Sequence, residues 1–320
     1  MFGKRSTVDP PPDKQRPVIG IPRALLYHKY AKMWTTFFDE LGCEVVISPN
    51  TNRPILERGI QNSIDENCLA VKIFLGHVHY LIGKADYVFI PRIECLHPGE
   101  KMCVKLFALA DIVRNTFRDI RILEYDVDEN HNKFEAAGLT RIGLTLNPHR
   151  PTVQRALTRA QTALADHNRE ELEKQTHQLQ QESGCRVLLV AHSYITQDAM
   201  MGKIVTQTLR QLGVDIILAD VVNLDDAREH YPHLSKDIYW TYSKELLGGI
   251  DIYKPKVDGI IFLMAFPCGP DALMVSLCQH VIEDTPLCVL NMDELQGDAG
   301  LKTRLESFVD ILRLKKEQAA

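Results

Sequence analysis

The chain reads as an α/β protein of two Rossmann-like lobes, each a small parallel sheet with helices on both faces, related by an internal repeat with a cleft between them. Three observations predict this. Short apolar, strand-like runs alternate with longer segments of helical periodicity. Leu212-Gly213-Val214-Asp215-Ile216-Ile217 echoes Leu41-Gly42-Cys43-Glu44-Val45-Val46 at an offset of 171 residues, and Val257-Asp258-Gly259-Ile260-Ile261-Phe262 echoes Ala85-Asp86-Tyr87-Val88-Phe89-Ile90 at an offset of 172. The length, 320 residues, suits two domains of ordinary size.

Residues 1–16, with Pro10, Pro11 and Pro12, read as a disordered tail. The first lobe, 17–150, opens on a strand, Val18 to Ile21, followed by a helix from Ala24 to Leu41 whose apolar positions are Leu25, Leu26, Trp34, Phe37, Phe38 and Leu41. Gly42 ends that helix and Glu44 to Ser48 is the next strand. Ile55 to Ile64 is helical, and Asp65 to Lys72 leads into a helix through about Gly83. Asp86 to Pro91 is a third strand, the loop Arg92 to Met102 carries Cys95 and His97, and Cys103 opens a helix through about Phe117. A strand is expected at Ile142 to Leu146. The linking segment, 151–182, is a helix with few large apolar residues, so it should cross between the lobes on the surface. The second lobe, 183–320, repeats the plan: a strand at Val187 to Val190, a helix from Gln197 to Leu212, strands at Asp215 and at Val257 to Phe266, and a helix from Ala272 to Asp284. A last strand, Pro286 to Asp293, and a C-terminal helix, Leu301 to Leu314, complete it.

Composition narrows the function. A net charge of −5 and a pI near 6.2 leave no broad basic footprint for nucleic acid. No apolar run reaches membrane-spanning length, and the N-terminus lacks the apolar core of a signal peptide. A cytoplasmic protein without a membrane partner is expected. Eight cysteines in such a chain point to reduced thiols, some of them metal ligands, rather than to a disulfide framework.

The most informative stretch is Phe266-Pro267-Cys268-Gly269-Pro270-Asp271-Ala272. It joins a buried strand to a helix, where open α/β sheets place their sites. Gly269 allows a sharp turn, and Pro270 and Asp271 suit a first helical turn. Cys268 then meets the positive end of a helix, which lowers a thiol pKa and favours the thiolate. Cys68 and Cys103 share that context. Under the repeat, Cys95 aligns within one residue of Cys268 and should face it across the cleft. Three thiolates and three helix starts converging on a cleft suit an iron–sulfur cluster. The spacing is not a ferredoxin run and no C-x-x-C occurs, so a shared centre and separately buried cysteines both remain open on spacing alone. Cys43, Cys185, Cys278 and Cys288 read as packing.

Other candidates carry two readings each. His77 and His79, two apart on a helix, face different ways, and at least one should be a surface residue. His97 either joins the thiols on zinc or is a solvated loop side chain. Lys72 and Lys105 either offset cluster charge or are plain surface groups. Arg23 binds an anion or forms a salt bridge. Among Glu94, Asp271, Asp293 and Glu294 one could be a general base, although Asp271 is already explained as a helix-start residue. His192-Ser193 lacks the flanking glycines of a nucleophile elbow.

Ile19-Gly-Ile-Pro-Arg-Ala24, Asn67-Cys68-Leu-Ala-Val-Lys72 with Gly76-His77-Val78, and Phe89-Ile-Pro-Arg92 before Cys103-Val-Lys105 are joined by Phe266-Pro-Cys268-Gly-Pro-Asp271, Asp293-Glu294, and Ala299-Gly300 with Thr303-Arg304-Leu-Glu306. Together they resemble the 2-hydroxyacyl-CoA dehydratase D-component-like family, more narrowly its acyl-CoA dehydratase activase-related (CoA protein activase) subgroup, over nearly all of residues 17–315. The resemblance implies a [4Fe–4S] cluster held by three cysteines with one iron open, a role that falls on Cys68, Cys103 and Cys268. Two departures matter. The family usually shows Cys-Pro-Lys where this chain has Cys103-Val104-Lys105. Cys95 is not a family cysteine and is either a fourth ligand or a bystander. The chain has no G-x-x-x-x-G-K-[ST] and no Gly/Thr-rich phosphate loop, so the implied ATPase is a separate activator protein with its own cluster. A related dehydratase-like subunit or a second copy, and an acyl-CoA substrate, complete the implied partners. The resemblance implies a dehydratase component or electron-transfer subunit, and the residues leave open whether the chain is itself an enzyme. The alternative is a non-catalytic subunit or assembly factor whose cleft holds a cluster or zinc structurally.

Overall fold

The computed structural model describes residues 16–295 and 297–319; of the tail expected over 1–16, all but Arg16 lies outside the described residues. The first half carries strands β1 (Val18–Ile21), β2 (Glu44–Ile47), β3 (Tyr87–Phe89), β4 (Arg92–Cys95), β5 (Ile122–Leu123) and β6 (Asp126–Asp128). Its helices are α1 (Tyr27–Glu40), α2 (Arg53–Gln61), α3 (Leu69–Leu81), α4 (Val104–Phe107), α5 (Leu109–Thr116) and α6 (Glu135–Leu146). The long α7 (Arg150–Gln180) leads to the second half. There the strands are β7 (Arg186–Val190), β8 (Asp215–Leu218), β9 (Gly259–Ala265) and β10 (Leu287–Met292). The helices are α8 (Ser193–Thr196), α9 (Gly202–Gln211), α10 (Leu224–His230), α11 (Thr241–Tyr253), α12 (Gly269–Val281) and α13 (Asp298–Ala319).

Both four-stranded sheets are parallel, and their strand orders, β2-β1-β3-β5 and β8-β7-β9-β10, are the same topology. The repeat therefore holds at the level of connectivity. It also holds in detail. Gly42 and Gly213 both turn the chain into the second strand at positive φ, +81° and +71°. Asp86 and Asp258 each accept a hydrogen bond from the first backbone N–H of their sheet's first strand, Val18 at 2.9 Å and Arg186 at 2.7 Å. The second sheet separates two apolar layers, as strand alternation requires. Leu188, Val190, Ile260 and Phe262 pack with Leu246, Ile250, Met274 and Cys278 of α11 and α12. Val187, Leu189, Ile261 and Leu263 face a core continuous with that of the first lobe.

The linking helix spans both lobes. Val153, Ala156, Leu157 and Ala160 of α7 are buried, and Arg159 pairs with Glu40 of α1 at 2.5 Å. Near its other end, the Gln175 amide accepts from Leu218 N at 2.8 Å and donates to Leu218 O at 3.0 Å and Val221 O at 2.9 Å. A side chain thus satisfies the outer edge of β8, which leaves less edge open to pairing with another chain.

Three expectations are corrected. Ile142 to Leu146 is the end of helix α6, not a strand. Its apolar residues alternate over that short run, but the buried positions extend back through Leu139 and Gly138 at helical spacing. The loop at 92–102 contains β4, which pairs in parallel with β6 and shifts register between Ile93 and Cys95. The helix expected from Gln197 begins only at Gly202, because the Asp198 carboxylate accepts from Met200 N and Met201 N and makes a separate turn there. Among the described residues no helix is long and apolar enough to cross a membrane.

Candidate three-cysteine site between the lobes

Cys68, Cys103 and Cys268 are the residues immediately before α3, α4 and α12. Each has extended or near-extended backbone, and none uses its side chain as a helix cap. Each carbonyl receives the first helical N–H groups, as with Val71 N at 2.9 Å on Cys68, Leu106 N at 2.9 Å on Cys103 and Ala272 N at 3.0 Å on Cys268. The sequence therefore places three thiols at three helix starts.

The lobes bring these starts together. Leu69 N donates to Phe266 O at 2.9 Å, tying the Cys68 turn to the Cys268 turn. Lys101 pairs with the strand-like segment before α11: its N–H donates to Tyr239 O at 2.9 Å, and Thr241 N donates to Lys101 O at 3.1 Å. Lys105 Nζ donates to Glu66 O. Lys72 Nζ meets Glu294 Oε1 at 2.6 Å, joining α3 to the turn after β10. All three thiols line one pocket, with Leu25, Val71, Met102 and Leu106 from the first lobe and Tyr194, Trp240 and Tyr242 from the second.

Beneath them, His192 Nε2 and Asp271 Oδ1 lie 2.9 Å apart, and Asp271 is 2% exposed. Burial pulls the imidazole pKa down, but the Asp271 carboxylate more than offsets it, so His192 titrates above its ordinary value. Burial pushes Asp271 up, and His192 more than offsets that in turn, so the carboxyl lies below its ordinary range. Each partner therefore favours the charged form of the other. His192 stacks on Tyr194 with ring centroids 4.9 Å apart. Tyr194 lines the same pocket, and burial, with the charge of Asp271, pushes its hydroxyl pKa up.

The expectation of thiolates stabilised by helix ends is corrected for two of them. Burial pushes both Cys68 and Cys268 thiols up, and Asp271 raises Cys268 further. A carboxylate placed to favour the helix start also disfavours a second negative charge beside it.

Cys95 does not line the pocket. It is fully buried in β4, and its thiol donates to His97 O at 2.9 Å. His97 is likewise absent from the lining. His77 is fully buried, between Ser48 Oγ at 2.8 Å and Thr51 Oγ1 at 3.0 Å, and His79 lies half-buried against Phe117. Arg23 donates to Ser48 O at 3.0 Å and Asn50 Oδ1 at 3.3 Å, with no carboxylate partner among the described residues. Asp293 accepts from Leu295 N at 2.7 Å, and Glu94 is half-buried in β4. Cys43, Cys185 and Cys278 are buried and Cys288 half-buried, as packing residues should be.

The sequence drew notice to His192 only as a residue that is not part of a nucleophile elbow, and Tyr194, Trp240 and Tyr242 went unnoticed. His192 lies two residues past β7, as Arg23 lies two residues past β1. Trp240 and Tyr242 come from a segment with no motif, and only the fold brings them to the thiols.

No curated protein matches the chain. The crystal structure of ZnuA covers 93% of this chain and 98% of its own at 12% identity, with a TM-score of 0.27 that carries no argument about fold or function. The sequence profile described as CoA enzyme activase uncharacterised domain (DUF2229) matches residues 18–222, which include Cys68 and Cys103. That match spans more than half of the chain, which belongs to the family of the CoA enzyme activase uncharacterised domain.

Proposed function

We propose that this chain is an iron–sulfur component of a CoA-enzyme activation system. Cys68, Cys103 and Cys268 would hold a [4Fe–4S] cluster in the inter-lobe pocket, serving low-potential electron transfer or acyl-CoA dehydration. The observation that carries the reading is that three cysteines from three helix starts, contributed by both lobes, line one pocket.

When bound, such a cluster supplies one-electron chemistry at a potential set by local charge, hydrogen bonds and solvent access. The residues of this chain do the rest. Met102, Leu106, Tyr194, Trp240 and Tyr242 surround the thiols with apolar surface and limit water. Lys101 and Lys105 bring positive charge to the lining, and the N-terminal ends of α3 and α12 add to it. His192, whose protonated form Asp271 favours, places an imidazole beside the thiols. Ligation must displace protons from Cys68 and Cys268, whose pKa values are raised, so loading should weaken as pH falls. The burial of Cys95 and its bond to His97 O favour the bystander reading over a fourth ligand.

The partners in this reading are an ATP-hydrolysing activator with its own cluster, a dehydratase-like subunit or second copy, and an acyl-CoA. The test is anaerobic. Incubated with an activator ATPase, MgATP and a reductant, the reconstituted protein should lose its brown absorption in an ATP-dependent manner. A protein that remains colourless after reconstitution, or whose colour is indifferent to ATP, contradicts the reading.

A further inference from the structure

A second ligand set converges on the second lobe, away from the thiols. His230 closes α10, His233 lies three residues on in a single 3-10 turn, and Asp251 projects from α11. His230 Nδ1 lies 2.7 Å and His233 Nδ1 2.8 Å from the same oxygen, Asp251 Oδ2. All three ligand atoms fall within 4.8 Å of one another, and the two rings stand nearly perpendicular, 83° apart with centroids at 5.5 Å. We propose that His230, His233 and Asp251 form a mononuclear divalent-metal site of the zinc class.

The donor set is two imidazole nitrogens and one carboxylate oxygen, the three-ligand pattern that leaves a fourth position to water on zinc. Metal bonds of ~2.1 Å in tetrahedral geometry put ligand atoms about 3.4 Å apart, so each imidazole nitrogen need retreat from Asp251 by only about 0.6–0.7 Å. Both rings can move, since the side chains are 40% and 63% exposed. Asp251 cannot move far, because α10 and α11 touch backbone to backbone. A Cβ on Gly248 would lie 2.3 Å from Ala227 O. In the metal-free form each Nδ1–H donates to Asp251. In the metal-bound form each ring carries its proton on Nε2. The neighbouring cations are already engaged: Arg228 meets Asp225 at 3.4 Å, and Lys244 lies over the Tyr231 ring while reaching Glu100 at 3.3 Å.

The site is separate from the thiol pocket. Tyr242 and Asp251 are nine residues apart on α11, about 13 Å at 1.5 Å per residue. An ion here would pin the turn after α10 to the helix whose start carries Trp240 and Tyr242 to the thiols. The inference does not rest on the cluster reading.

Chelator-treated full-length protein titrated with Co2+ tests it. A Cys68→Ser/Cys103→Ser/Cys268→Ser variant should still bind one equivalent, with cobalt d–d absorption and no thiolate charge-transfer band. Adding His233→Ala or Asp251→Asn should weaken that binding at least about tenfold. His233 is exposed, so its replacement should leave the circular dichroism spectrum unchanged. Absence of binding in the triple-cysteine variant, or binding unaffected by His233→Ala and Asp251→Asn, overturns the proposal.

Discussion

Replacing Cys68, Cys103 or Cys268 with alanine should each remove at least about nine-tenths of the iron retained after anaerobic reconstitution, since loss of mere outer-shell partners already costs metal sites about 10–100-fold. The three residues lie far apart in sequence, yet each is the residue before a helix and each lines the same pocket. Equal losses from both lobes are what a shared centre requires. Cys95→Ala is the control. Its thiol is spent on His97 O inside the first lobe, so the spectrum and iron content should match those of the unaltered protein. Iron retained in the Cys268 variant at the unaltered level would confine the ligands to the first lobe and remove the inter-lobe centre.

Acid should destabilise the chain steeply below pH 6.5, and His77 alone should account for about 2 kcal/mol of that at pH 5. Burial is the main cause: it pulls the His77 pKa from 6.5 to about 3, with His28 and Arg23 adding to the effect. The folded pKa lies below the unfolded one. Above pH 6.5 the ring is neutral in both states and contributes nothing. Below it the unfolded chain binds a proton that the folded chain refuses, and stability falls until the pH approaches 3. His28, lowered to about 4 by burial, acts in the same direction. The hydrogen bonds explain the refusal. Thr51 donates to Asp198 and so accepts from His77 Nε2–H, while Ser48 accepts from Arg23 N at 2.8 Å and donates to Nδ1. A second ring proton would meet the Ser48 hydroxyl proton. Because Asp198 belongs to the second lobe, the weakening falls on the seam between lobes. Urea unfolding of the unaltered protein and of His77→Asn at pH 7.5 and pH 5 measures it. The variant should lose about 2 kcal/mol less on acidification, and an equal loss in both would show that His77 is protonated in the folded state.

The repeat was legible because two landmarks at nearly equal offsets are also structural equivalents: the Gly42 and Gly213 turns, and the Asp86 and Asp258 carboxylates. That Cys68, Cys103 and Cys268 each precede a helix was legible, because each stands between a turn and a helical pattern. Cys95 was misplaced by extending the offset past Ile90. There the first lobe inserts β4 and its loop before the next helix, so the residue that corresponds to Cys268 in role is Cys103. The state of the thiols was not legible, because helix ends are visible in sequence and burial beside Asp271 is not. Nor was the His192–Asp271 pair, whose members are 79 residues apart and look unremarkable alone. Short apolar runs such as Ile142 to Leu146 remain ambiguous until neighbouring buried positions decide the period.

The central claim is that thiols from both lobes hold one four-iron centre. Iron and acid-labile sulfide, measured on the unaltered chain after anaerobic reconstitution and desalting, test it most directly. About four of each per chain are expected. Iron without sulfide, or an iron content near zero with zinc in its place, would contradict the account.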